Sequence, residues 1–64
     1  MANWLSIDSE CWRLRYFGNH TVFITQIASG VIRTCNRGKL PDDVRLAQMS
    51  EYTFNNLCRE IFHG

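Results

Sequence analysis

From Cys11 to Phe17 large apolar side chains alternate with basic ones: Trp12, Leu14 and Tyr16 against Arg13 and Arg15. Alternation with a period of two is the mark of a strand with one buried and one wet face. The pattern predicts a strand over residues 11–17. Gly18, Asn19 and His20 then interrupt it, and Gly and Asn tolerate the left-handed backbone that tight turns need. Residues 21–27, "TVFITQI", are rich in β-branched and aromatic types and predict a second strand. "ASG" is a further turn, and "VIRTC", residues 31–35, a third short strand. Connections this short favour an antiparallel meander.

Beyond it, "NRGKLPDD" is punctuated by Gly38 and Pro41 and reads as a loop. Residues 44–49, "VRLAQM", fit two descriptions: a fourth strand by alternation, or an early helical turn capped by Asp42. The C-terminal stretch is clearer. Ser50 suits an N-cap and Glu51 suits a helix N-terminus. Phe54, Leu57, Cys58 and Ile61 recur at the spacing of one helix face, predicting a helix over about 51–62. An isolated short hairpin and an isolated short helix are each marginal in water. The expected fold is therefore a single small α+β domain spanning residues 1–64. Three antiparallel strands, with a possible fourth, pack against one C-terminal helix. Trp12, Leu14 and Tyr16 would meet Phe54, Leu57 and Ile61, and Trp4 and Leu5 would pack as a short turn against the same core.

Size sharpens this expectation. With 64 residues, a chain buries only ~60% of the surface its unfolded form exposes, so its stability margin is thin. The composition, 45% hydrophobic and 20% charged, is that of a globular protein. No secretory leader or membrane-spanning run is recognised, and the expectation is a cytoplasmic protein. Cys11, Cys35 and Cys58 are odd in number and widely spaced, unlike a disulfide scaffold, and read as free buried thiols. They lack the paired spacing of a metal site, and no cofactor motif is present.

Charge changes the picture more. The formal net charge is only +1. Yet from Cys11 to Pro41 there are Arg13, Arg15, Arg33, Arg37 and Lys39 and no Asp or Glu, all six acids lying outside that run. The i, i+2 spacing places Arg13 and Arg15 on one strand face, away from the helix. Arg33 is expected to join them from the third strand, with Arg37 and Lys39 extending the patch from the loop. Strand arginines are also simply what the wet side of a one-sided sheet carries. The functional reading is a surface for a polyanion, since the planar fork of Arg matches phosphate and guanine edges. The Asp42–Asp43 pair reads as loop and cap, and Met49, Tyr52 and Phe54 read as core.

"WRLRYFGNHTVF", followed after one more strand by "GKLP", resembles HicA-type toxins of bacterial toxin–antitoxin pairs. The resemblance covers roughly residues 12–41. It implies a small double-stranded-RNA-binding-like fold and an mRNA-cleaving activity neutralised by an antitoxin. By it, His20 would be the catalytic residue and Lys39 part of a later basic loop. The ten residues ahead of Cys11 are too few for the full helix the family places there. Read from the residues alone, His20 is an exposed turn residue, although imidazole is well suited to moving protons near neutral pH.

Three uses follow, in order of preference. The first is a small, non-enzymatic regulator that binds DNA or RNA through the basic sheet face. The second is a protein-binding inhibitor or accessory factor of a larger enzyme, anchored by exposed aromatics such as Trp4, Phe17 or Tyr52. The third is a HicA-like ribonuclease using His20. Open sheet edges and a thin core make a homodimer compatible with each.

Overall fold

The computed structural model describes residues 6–64. Trp4 and Leu5, expected to pack on the core, lie outside the described residues. The order is β1 (Ser6–Asp8), β2 (Trp12–Phe17), β3 (Thr21–Gln26) and β4 (Val31–Asn36). A 3-10 turn (Arg37–Lys39) follows, then α1 (Asp43–Gln48) and α2 (Glu51–His63). The strands form one antiparallel meander in the order β1-β2-β3-β4. The α+β architecture read from the alternation and the C-terminal helix is therefore present.

The fourth strand is at the other end of the sheet from the segment considered for it. It is the triplet Ser6–Asp8, paired Ser6 with Arg15, Ile7 with Leu14 and Asp8 with Arg13. Residues 44–48 lie in α1, the Asp42-capped helical turn that their sequence also allows, and Met49 is its C-cap. The Asp42 carboxylate accepts from the Arg45 amide at 3.0 Å, satisfying a free donor of the first turn. Only Leu46 of this helix is buried, while Val44 is 66% exposed, so the Val44–Leu46 alternation reflects no two-sided strand.

All buried side chains of the sheet lie on one face. Leu14 stands opposite Ile24, and Tyr16 opposite Val22. With Trp12 they form the sheet side of a core closed by Leu46, Phe54, Cys58 and Phe62. The line buried by α2 is Phe54, Cys58 and Phe62, one i, i+4, i+8 ridge. Leu57 and Ile61, expected at its centre, are half-buried flanks. The ridge is rotated towards Phe62 because that ring packs edge-on against Trp12, with centroids 5.1 Å apart. Ser50 caps α2, its side chain accepting from the Thr53 amide at 3.2 Å.

One tie was not visible in the pattern. Ser9, in the β1–β2 turn, accepts from the Trp12 amide at 3.1 Å. Its hydroxyl donates to Asn55 Oδ1 at 2.6 Å, fastening the turn to α2. Among the described residues, the opposite sheet face carries no helix and none of its side chains is buried.

Candidate nucleic-acid interface

The hairpin registers decide which basic residues share a surface. Arg13 and Arg15 point away from the helices, as their spacing requires. On the same face β3 places Thr21, Phe23 and Thr25, and β4 places Ile32, Thr34 and Asn36. Arg15 is opposite Phe23, and Phe17 follows Arg15 at the next outward position. The Phe17 and Phe23 rings lie 4.6 Å apart, tilted at 44°. Phe17 is 43% exposed and Ile32 58% exposed. The face thus carries an aromatic pair towards the β2–β3 hairpin end, with arginines beside it.

Arg33 does not join this face. It pairs with Ile24, which pairs with Leu14, so the register carries Arg33 to the helix side. There it donates to the Phe62 carbonyl at 3.0 Å. Its guanidinium sits 4.6 Å from the Phe62 ring centroid. A cation at the C-terminal end of a helix is favoured by the helix dipole and satisfies a carbonyl left without an intrahelical donor. Arg37 is also on the helix side. It lies 4.7 Å from the centroid of the Tyr16 ring. It donates to Asp43 Oδ1 at 2.8 Å, linking the 3-10 turn to α1. Lys39 is exposed, and its charge acts on the Cys35 thiol, again on the helix side.

The acid-free run therefore folds into two unlike surfaces, and acids from outside the run return to it. Asp8, brought alongside by β1, meets Arg13 at 3.3 Å, as Asp43 meets Arg37. Exposed pairs of this kind contribute only ~0–1 kcal/mol, so Asp8 holds Arg13 weakly. Phe23 also belongs to the open face, a place none of the expectations gives it. Its signal was the series Arg13, Arg15, Phe17 continuing outward, matched across the hairpin by Thr21, Phe23, Thr25.

His20 sits at the tip of the β2–β3 hairpin. Asn19 and His20 both have positive φ, 67° and 60°. The His20 carbonyl accepts from the Arg37 amide at 2.8 Å, and its side chain is exposed. No hydrogen bond to its imidazole is found among the described residues. A non-glycine residue here carries a steric cost of roughly 1 kcal/mol. His20→Gly is expected to raise stability by about 0.5 kcal/mol, part of the steric gain being offset by the freer unfolded chain. Urea unfolding of the two proteins checks this, and a loss of stability would show that the imidazole makes contacts the turn does not explain.

The three thiols are free, but they are not alike: Cys58 is buried, Cys35 half-buried and Cys11, in the β1–β2 turn, exposed. The expectation of buried thiols thus fails at Cys11. Burial pushes Cys58 up to about 12, with the neighbouring Cys35 adding to it. Cys35 is also raised by burial, against the pull of Lys39. Burial raises Tyr16 as well, with Asp43 adding to it and Arg37 opposing. Among the described residues, no group of three or more His, Cys, Asp or Glu is gathered as metal ligands would be.

A cavity of about 460 Å³ opens between the β1–β2 turn and the α1–α2 junction. Ile7, Leu46, Met49 and Phe54 line it together with Glu10 and Glu51. Carboxylates at its wall make it unsuited to a polyanion. Among the described residues no helix is long and apolar enough to cross a membrane. Compared with known proteins, the chain matches no family model, and no curated protein or solved structure matches it significantly.

Proposed function

We propose that this chain is a small, non-enzymatic nucleic-acid-binding protein whose contact surface is the open face of the sheet. The observation that carries the reading is the composition of that face: Arg13 and Arg15 stand on one strand beside an aromatic pair, Phe17 exposed and Phe23 half-buried, with threonines around them. Among the described residues the helices pack only against the other face. Arginine supplies phosphate and base-edge contacts, and the surrounding hydroxyls supply further hydrogen bonds. Arg33 and Arg37 act differently in this reading, as the clasp of α2 and the clasp of α1.

Simultaneous Arg13→Ala and Arg15→Ala exchange tests it by fluorescence anisotropy with a labelled oligonucleotide across a salt series. Both side chains are outside the core, so the variant should retain its fold. Binding is expected to weaken by about tenfold or more. The slope of log K against log salt should become shallower by roughly one to two, as each phosphate contact contributes about 0.7–0.9. Absent binding, or binding that does not respond to salt, would overturn the reading.

A second reading, a protein-binding inhibitor or accessory factor, draws on the β4 edge. Among the described residues β4 has no neighbour on its outer side, Val31 and Ile32 are 45% and 58% exposed, and the strand contains neither proline nor acid. Such an edge can accept an extended segment of another chain. Recovery of the tagged protein from lysate, with and without nuclease, separates the two. Loss of everything co-purified after nuclease supports the first reading, and a stoichiometric protein that survives it supports the second.

A further inference from the structure

We infer that the nucleic acid this face takes is single-stranded, held by base stacking on Phe17 and Phe23 rather than by neutralisation of a duplex backbone. The inference rests on the nucleic-acid reading above and names its substrate class. Shape is the first argument. Four strands spaced by ~4.8 Å span ~14 Å between the outer axes before side chains are added. The B-DNA major groove is ~12 Å wide and admits a two-stranded ribbon. The open face is a four-stranded sheet, with the helices on its other side. It is a platform and not a wedge.

Charge is the second argument. Among the described residues, the ionic side chains on this face are Arg13, Arg15 and Asp8, and Asp8 already meets Arg13. Duplex affinity comes largely from neutralised phosphates. A face with so small a surplus gains little that way. Its larger asset is aromatic. Phe17 is 43% exposed and packs at 4.6 Å from the half-buried Phe23, and Arg15 stands opposite Phe23 in the register. Rings in such a setting can accept the flat face of a base, but only a base that is not already stacked within a duplex. Ser6, Thr21, Thr25 and Thr34 on the same face offer hydroxyls that do not discriminate strongly between bases.

The test is fluorescence anisotropy with three labelled probes of about 12 nucleotides, a length covering a single small platform: oligothymidylate, oligouridylate and a mixed-sequence DNA duplex. The parent protein is expected to bind at least one single strand about tenfold or more tighter than the duplex. The two single strands tell DNA from RNA. Phe17→Ala should weaken single-strand binding by about tenfold, within the range seen when one stacking ring is removed. Phe17→Leu, which keeps the apolar bulk and loses the ring, should weaken it similarly. Preserved binding in Phe17→Leu would overturn stacking. Duplex binding as tight as single-strand binding would overturn the inference while leaving the nucleic-acid reading in place. Binding to none of the three probes would overturn both.

Discussion

Leu14→Ala is expected to leave most of the chain unfolded at room temperature. Leu14 is fully buried, in a cross-strand row between Ile7 on β1 and Ile24 on β3. It is thus one of the few side chains that tie three strands to the helical layer at once. Removing a buried leucine side chain costs the transfer free energy of its methyls and the cavity they leave, about 3–5 kcal/mol together. A chain of 64 residues has roughly 3–10 kcal/mol of stability in all. The deletion therefore removes from about a third to all of the total, and all of it at the low stability expected of so short a chain. Far-UV circular dichroism with urea titration checks it. Ile32→Ala is the matched control. It deletes an aliphatic side chain of similar size from a position 58% exposed and should cost less than about 1 kcal/mol. A Leu14→Ala midpoint near that of the parent would show that the row is not the centre of the core.

The fold was legible where a period could express itself. Trp12–Phe17 is long enough for alternation to be unmistakable, and Ser50 with Glu51 marks the start of α2 locally. The misses have physical reasons. Ser6–Asp8 has one inward residue, Ile7, and one inward residue has no period. At residues 44–49 the sequence leaves strand and capped helical turn both open, and the Asp42 cap decides for the helix, since a capped turn needs only one buried anchor. The basic patch failed for a different reason. Linear charge counting sees the neighbours of a residue along the chain, whereas the face it occupies is set by hairpin register. One register carried Arg33 to the helix side, and another returned Asp8 to Arg13. What survived was the pair Arg13 and Arg15, whose relation depends on spacing within one strand. The aromatic pair beside them was hidden until two strands were aligned.

Alkaline pH is expected to unfold this protein through its buried thiol. Cys58 is fully buried, and burial pushes its pKa from 9.0 to about 12. Below pH 9 the thiol is protonated in both the folded and the unfolded chain, and it favours neither. Above pH 9 the unfolded thiol ionises while the folded one cannot, so the unfolded chain holds fewer protons and stability falls as pH rises. The fall is about 1.4 kcal/mol per pH unit and reaches about 4 kcal/mol near pH 12, where the folded thiol itself begins to ionise. Cys35 and Tyr16 are also raised by burial and push in the same direction. Against a total of roughly 3–10 kcal/mol, the loss is large enough to reach the unfolding threshold. The measurement is urea unfolding under reducing conditions from about pH 8 to pH 11, where the thiol's contribution changes most. Cys58→Ala provides the internal comparison. It leaves a small void and should be about 1 kcal/mol less stable than the parent at pH 8. Its stability should then decline more slowly, so that the two curves converge and cross as pH rises. Parallel curves would assign the alkaline loss to other groups and remove Cys58 as its source.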